Sequence, residues 1–233
     1  MKPYKTDRAV MMNNKIVSLF SGCGGLDLGF NRAGFNIIWA NEYDKEIWAT
    51  YERNHPQTPL DRRDIRTIAS SDIPDCVGII GGPPCQSWSE GGAQRGIEDA
   101  RGQLFLEYVR ILKDKQPQFF LAENVAGILH QKHDRAVKNI IAAFEEAGYT
   151  VAYKQLNAKY YGVPQDRKRV IFIGYHLDLD RQFNFDRLKS SSTILTLRDA
   201  ISDLQGKELP ALQKTKTNGS SCEVFNHEYM TGD

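Results

Sequence analysis

The stretch Val17-Ser-Leu-Phe-Ser-Gly-Cys-Gly-Gly-Leu-Asp27 sets a glycine-rich turn between an apolar run and a segment with apolar residues at helical spacing. Residues 16–20 read as a strand and 26–33 as the helix that follows. A turn between them presents backbone amides at a helix start, where they can approach an anionic or polar cofactor. Taken alone, the glycines are equally well explained by the sterics of a tight strand-to-helix turn. Working outward, the runs 36–40, 77–81, 119–123, 151–156 and 170–175 are bounded by Gly, Pro and Asp. They alternate with amphipathic stretches at 45–53, 104–113 and 136–147, the last stopped by Gly148. From Lys15 to about His176 this alternation predicts an α/β domain with a doubly wound, mostly parallel sheet. Beyond Tyr175 the pattern fades, leaving one helix over 197–204 and a polar tail rich in Lys, Thr, Gly and Ser.

Composition narrows the class. The chain has 233 residues, 41% hydrophobic and 25% charged, enough for one sizeable core. No stretch approaches the roughly eighteen apolar residues of a membrane span, and the first ten residues lack an apolar leader core, so a cytoplasmic protein is expected. Cys23, Cys76, Cys85 and Cys222 show neither zinc-site spacing nor disulfide density, which predicts free thiols and no metal. With 30 Lys and Arg against 29 Asp and Glu, the net charge of +1 gives no global footprint for nucleic acid. Such binding has to come from local clusters.

Several segments carry chemistry. Glu42, at the end of the second strand, can accept hydrogen bonds from both ribose hydroxyls of a nucleoside. Asp64, before Ile65 at the next edge, can accept from an adenine amino group; each acid alone is as well read as a solvated loop residue. In Gly81-Gly-Pro-Pro-Cys-Gln-Ser-Trp-Ser-Glu-Gly-Gly92, Cys85 leaves a strand end on a rigid Pro-Pro platform and enters a Gly-bearing loop. That placement suits a nucleophile, whereas Cys76 reads as strand packing. Phe119-Phe-Leu-Ala-Glu-Asn-Val125 brings Glu123 and Asn124 to a strand end beside the Cys85 strand, where a carboxyl is withdrawn from water. The competing reading makes Asn124 a helix N-cap with Glu123 as its dipole partner. Arg167 and Arg169 flank Lys168, so in an extended segment they share one face; the default for such a run is solvation.

Four segments in this order, Phe20-Ser-Gly-Cys-Gly-Gly25, Gly82-Pro-Pro-Cys-Gln-Ser-Trp-Ser89, Glu123-Asn-Val125 and Gln165-Asp-Arg-Lys-Arg169, resemble the cytosine-5 DNA methyltransferases over residues 15–175. Ala40-Asn-Glu-Tyr-Asp-Lys45, Gly91-Gly-Ala-Gln-Arg-Gly-Ile97 and Asn226-His-Glu-Tyr229 look like the bacterial modification methylases that act on GGCC, the host-protecting half of type II restriction-modification systems. The resemblance implies the Rossmann-like methyltransferase variant of the doubly wound sheet. It implies S-adenosyl-L-methionine as cofactor, S-adenosyl-L-homocysteine as product and double-stranded DNA as substrate. By resemblance the cofactor site takes Phe20, Ser21, Gly22, Cys23, Gly24, Gly25, Glu42, Tyr43, Asp64, Ile65 and Pro84. Cys85, Glu123, Arg167 and Arg169 would be catalytic, Gln86 and Ser89 would meet DNA, and residues 86–96 would form a lid over a flipped base.

The expected division is an N-terminal extension at 1–14 without fixed structure, a catalytic and cofactor-binding domain at 15–190, and at 191–233 the start of a connection to a DNA-recognition region. The resemblance implies that this region and a last cofactor-supporting segment lie beyond Asp233, as a continuation of the chain or on a partner. An open sheet edge and an exposed apolar docking surface are expected with it. Two other classes compete. A dinucleotide-dependent oxidoreductase explains the glycine turn and Glu42 but leaves the Cys85, Glu123 and Arg169 segments without work. A non-catalytic binding module or an RNA-directed relative would share the fold.

Overall fold

Strand β1 (Lys15–Leu19) is buried on both faces from Ile16 to Leu19, which is the pattern of a strand in the middle of a covered parallel sheet. It pairs in parallel with β2 (Asn36–Asn41) on one side and β4 (Gly78–Gly81) on the other. The structure, a computed structural model, describes residues 14–84, 100–129 and 134–205. Within these, β3 (Leu60–Asp61), β5 (Phe119–Val125), β6 (Tyr149–Asn157) and β7 (Lys168–His176) complete a seven-stranded sheet of order β3-β2-β1-β4-β5-β7-β6. Five α-helices are described: α1 (Gly25–Arg32), α2 (Lys45–Asn54), α3 (Ala100–Lys115), α4 (Asp134–Glu146) and α5 (Leu197–Ile201).

The period-two alternation of the strands sorts the core into two layers. Val17, Leu19, Ile79, Phe120 and Ala122 face Phe105, Tyr108 and Leu112 of α3 and Val137, Ile140 and Phe144 of α4. Ile16, Ile37 and Ile80 face the other way, against Leu26 and Phe30 of α1 and Phe35. The sheet is therefore covered on both sides, as the expected doubly wound arrangement requires.

Two features depart from simple strand-helix alternation. Strand β3 is two residues long, too short to leave a hydrophobic pattern. Strand β7 runs antiparallel to both β5 and β6. Residues 158–167, which join β6 to β7, hold only a short 3-10 turn (Ala158–Tyr161), too little chain for the crossover that parallel pairing needs.

At the β6 edge, which pairs only with β7, Tyr153, Lys154 and Gln155 stay exposed, and a following segment packs against part of the strand. Phe185 is buried in a 3-10 turn (Phe185–Arg187) packed there, Asp186 pairs with Lys154 at 3.2 Å, and Thr150 Oγ1 donates to the Arg181 carbonyl at 2.7 Å. Past that turn, Ile194, Leu195, Leu197, Ile201 and Leu204 are exposed, although α5 carries a complete Thr196–Asp199 capping box. Among the described residues no helix is long and apolar enough to cross a membrane. The expected extension at 1–14, apart from Asn14, and the end of the chain beyond Gln205, with Cys222 and Asn226-His-Glu-Tyr229, lie outside the described residues.

Packing between β5 and β7 leaves no room at Gly174, where a Cβ would fall 2.0 Å from Phe120 Cε1. That ring is held among Tyr108, Phe144 and Tyr149 and cannot swing away. Gly174→Ala is expected to cost about 1–3 kcal/mol of stability. Gly29→Ala, on α1 where a Cβ meets nothing within 4 Å, is expected to raise stability by about 0.5–1 kcal/mol. Denaturant unfolding of both variants reads these opposite signs, and a Gly174→Ala midpoint equal to wild type would contradict the packing.

Candidate active site

Parallel strands β1 to β5 all end at one edge of the sheet, and antiparallel β7 begins there. From β1 the chain enters the glycine turn, where Phe20 (φ 53°), Gly22 (φ 56°) and Gly24 (φ 83°) all adopt left-handed backbone. For Phe20 this conformation stores roughly 1–3 kcal/mol of strain, so its surroundings must hold it there. Ser21 N–H donates to the Asn41 carbonyl at 3.1 Å and Gly24 N–H to the Ser21 carbonyl at 3.0 Å. Gly22 N–H donates to Glu42 Oε2 at 2.8 Å.

Glu42 is thereby fixed in place. Its Oε1 accepts from Asp44 N–H at 2.8 Å, and its carbonyl accepts from Trp48 Nε1 at 2.9 Å. Each carboxylate oxygen keeps acceptor capacity beyond its one amide. The space in front of the turn is open, since a Cβ on Gly22 or Gly25 would meet no atom within 4 Å. Beside it the Ser21 hydroxyl is buried without a hydrogen-bond partner. A buried hydroxyl without a partner beside this turn is the kind of group that a polar ligand atom can satisfy.

The neighbouring wall comes from the segment after β3. Asp64 caps the 3-10 turn Ile65–Thr67 by accepting from Arg66 N–H at 3.0 Å, and the Arg66 guanidinium grips both its oxygens. That guanidinium holds the Asp64 carboxyl below the usual carboxylate range. Tyr43, directly after Glu42, is exposed. Ile65 points its side chain into the core and leaves only backbone at this wall. Cys23 is exposed, and its carbonyl accepts from Asn54 Nδ2 at 3.1 Å.

At the other half of the edge, Gly81 pairs with Ala122, which brings Gly82-Pro83-Pro84 alongside Glu123. A Cβ on Gly82 would sit 3.4 Å from Glu123 Oε2, and Asn124 Nδ2 donates to the Pro83 carbonyl at 3.0 Å. Asn124 is thus a buried residue of β5 that ties down the Pro-Pro platform, and the helix-cap reading of it falls. From β7, Arg169 Nε lies 2.6 Å from Glu123 Oε1, and an Arg167 terminal nitrogen lies 3.9 Å from the same oxygen. The Arg169 Nε–H makes no aligned hydrogen bond, so this short contact is an ion pair. Arg169 Nη1 donates to the Lys168 carbonyl at 2.8 Å. Cys85, Gln86, Ser89 and the expected lid at 86–96, with Gly91-Gly-Ala-Gln-Arg-Gly-Ile97, lie outside the described residues; Cys85 follows Pro84 directly in sequence.

The sequence patterns did not single out the polar residues that hold these elements. Arg110 of α3 donates to the Ile68 carbonyl at 3.0 Å and to Ser70 Oγ at 2.6 Å, fixing the segment after Asp64. Asp27 is fully buried and accepts from Ser18 Oγ and Tyr51 Oη, both at 2.6 Å. An Arg or Asp within an amphipathic helix has no pattern of its own, and these partners lie far away in sequence. Among the described residues no cluster of His, Cys, Asp and Glu could hold a metal ion.

The sequence profile for C-5 cytosine-specific DNA methylase matches residues 14–233. The chain belongs to this family. It is 58% identical over 219 residues to the type II methyltransferase M.FnuDI of Fusobacterium nucleatum, covering 94% of this chain and 63% of that protein. It is 38% identical over 248 residues to the type II methyltransferase M.AquIA of a Picosynechococcus species, covering 94% of this chain and 100% of that protein. Among solved structures it superposes, with TM-score 0.68 and 30% identity, on one described as a DNA modification methyltransferase encoded within an E. coli prophage. That match covers 84% of this chain and 55% of the other. The chain therefore has the Rossmann-like fold of these methyltransferases, and the oxidoreductase reading is set aside. Against several curated relatives it spans 63% to 66% of their length.

Cys76, partly buried, is less reactive than an ordinary thiol. Burial of Cys76 at the foot of β4 pushes its thiol up to about 12. At pH 8 its thiolate fraction falls about 10³-fold below that of an ordinary thiol, and alkylation slows in proportion. Iodoacetamide labelling of the folded protein, mapped by peptide mass, is expected to modify exposed Cys23 and spare Cys76. Equal labelling of the two would contradict the burial.

Proposed function

We propose that the protein transfers a methyl group to carbon 5 of cytosine in double-stranded DNA, with Cys85 as nucleophile. The observation that carries this reading is the Glu123 carboxyl, set beside Gly82-Pro83-Pro84 and reached by Arg169 and Arg167. It stands at the sheet edge that also holds the Phe20 to Gly25 turn and Glu42. S-adenosyl-L-methionine, when bound, supplies an electrophilic methyl group and leaves as S-adenosyl-L-homocysteine.

Several residues fit that cofactor. The remaining lone pairs of Glu42 suit two ribose hydroxyls, the exposed Tyr43 ring suits an adenine face, and Asp64 and the Ile65 backbone suit its edge. The free Ser21 hydroxyl and the open turn at Gly22, Cys23, Gly24 and Gly25 suit the polar amino-acid end. By resemblance Pro84, the residue before Cys85 in sequence, belongs to the same pocket.

Carbon 5 of cytosine is too electron-poor to attack a sulfonium methyl unaided. Cys85 thiolate adds to carbon 6, and the ring's displaced electrons move toward nitrogen 3 and the carbonyl oxygen. Glu123 holds the proton that neutralises nitrogen 3, assistance worth roughly 10²–10⁴-fold. Arg169 holds the carbonyl oxygen, and Arg167 supports the same carboxylate. Carbon 5, now nucleophilic, takes the methyl group. A solvent-derived base removes its proton, and elimination expels the Cys85 thiolate. Attack through the ring face requires the base to leave the stack, at roughly a few kcal/mol; Gln86 and Ser89 are placed in sequence to meet the strand.

DNA recognition in this reading needs a further segment, in the same polypeptide or in a partner. The 63% to 66% span against longer relatives, the net charge of +1 and the exposed Ile194, Leu197 and Ile201 support this. M.AquIA, matched along its whole length, is a methyltransferase chain of comparable extent. GGCC is the proposed target and the cytoplasm the proposed location.

Cys85→Ala, supplied with a C-terminal segment, is expected to lose tritiated methyl transfer and capture of a 5-fluorocytosine duplex while retaining cofactor affinity. Full activity in that variant would remove the assignment, and restriction digestion of the methylated duplex reads the target. Glu42→Ala is expected to weaken S-adenosyl-L-methionine binding by about 1–3 kcal/mol in calorimetry. An unchanged affinity would mean that the pocket lies elsewhere.

A further inference from the structure

Behind the Phe20 to Gly25 turn lies a layer of polar side chains turned away from its open front. Asp27, in the first turn of α1, is fully buried between Ser18 of β1 and Tyr51 of α2, and each of its oxygens accepts one hydroxyl at 2.6 Å. Burial pushes the Asp27 carboxyl up, and the two hydroxyl donors draw it back down. Burial and the adjoining carboxyl raise Tyr51 far above its ordinary range, which keeps its hydroxyl a donor. The next turn of α2 continues the contact. His55 Nε2 lies within hydrogen-bonding distance of the Gly24 carbonyl, 3.0 Å, and Asn54 Nδ2 donates to the Cys23 carbonyl. A Cβ on Gly24 would fall 2.1 Å from His55 Nε2, so the imidazole fills the space behind the turn.

The arrangement clasps both ends of one loop. Ser18 belongs to the strand that enters the turn, Asp27 to the helix that leaves it, and α2 presses on its back. Folding alone does not call for this, because a buried carboxyl is expensive and apolar filling between β1 and α1 would be cheaper. A fully satisfied polar network does what apolar packing does poorly: it enforces one geometry. Here that geometry includes a strained Phe20 and the left-handed backbone of Gly22 and Gly24.

We propose that Asp27, Ser18 and Tyr51 are positioning residues that hold the Phe20 to Gly25 turn in its cofactor-binding shape before the cofactor arrives. Part of cofactor affinity is then preorganisation set by side chains that never touch the ligand. The inference rests on the reading of this turn as the S-adenosyl-L-methionine site.

The test compares two buried tyrosines. Tyr51→Phe removes the donor to Asp27; Tyr149→Phe removes an equally buried donor, to the Pro117 carbonyl at 3.0 Å, in a part of the core remote from the turn. By calorimetry with S-adenosyl-L-homocysteine, Tyr51→Phe is expected to bind about tenfold more weakly, about 1.4 kcal/mol. Tyr149→Phe is expected to lose thermal stability yet keep wild-type affinity. Without ligand, hydrogen exchange at the amides of residues 20–25 is expected to speed up in Tyr51→Phe and not in Tyr149→Phe. Ser18→Ala, which removes the other donor, reads the same effect should Tyr51→Phe not fold. Wild-type affinity in both Tyr51→Phe and Ser18→Ala, or an equal loss in the two tyrosine variants, overturns the proposal. Failure of the wild-type chain to bind the ligand would instead remove the cofactor reading, and the exchange measurement would still decide whether the clasp fixes the turn.

Discussion

Parallel hydrogen bonding of β1 with β2 and β4 is the constraint from which the site follows. A parallel pair cannot be closed by a hairpin, so each strand returns through a crossover and every strand-to-helix connection lands on the same edge. The glycine turn, Glu42, Asp64 and the Gly82-Pro83-Pro84 platform are brought together by that rule, although they span more than sixty residues of sequence. The crossover helices bury both sheet faces and leave the edge as the place where backbone amides and strand-end side chains meet open space.

The antiparallel entry of β7 completes the edge with cations. The strand is nine residues long, or about 30 Å at the usual rise. Parallel to β5, it would put Arg169 at the far side of the sheet. Reversed, it sets Arg169 opposite Val125 and within 2.6 Å of the Glu123 carboxylate. The short β6 to β7 connection enforces that reversal and is pinned by its own contacts, Asn157 and Lys159 both donating to Asp166 at 2.7 Å.

What the sequence made legible depends on how local each cause is. Strand and helix positions were readable because buried faces repeat with periods of two and about 3.6, and β1, β2, β4 and β5 fall within two residues of the expected runs. Glu123 was readable as a strand-end carboxyl, whereas the arrival of Arg169 beside it depends on the reversal of β7, which the expected mostly parallel sheet did not foresee and only the family resemblance implied. Strand β3 was not, since two residues carry no period. Nor was the role of Asn124: its bond to the Pro83 carbonyl spans 41 positions, and Asn before a turn has an equally ordinary meaning as a cap. The Asp27 network was hidden for the same reason, as Tyr51 and His55 look like the core residues of any amphipathic helix.

The ionic contacts of this edge differ in kind from those around it. Arg62 with Glu52 and Arg63 with Asp72 are roughly half exposed on both sides, where water and salt screen such pairs and leave them worth little. The Glu123 and Arg169 side chains are only about a quarter exposed, and the Nε–H between them forms no aligned hydrogen bond. Their desolvation is therefore incompletely offset within the protein itself. The same imbalance recurs at the other half of the site, in the strained Phe20 and the unpaired Ser21 hydroxyl. Local departures of this sort persist where surrounding structure overdetermines them, and here the surroundings are the two-sided sheet and the Asp27 clasp. The groups left imperfectly satisfied therefore gather at the edge, where the proposed cofactor and base would meet them.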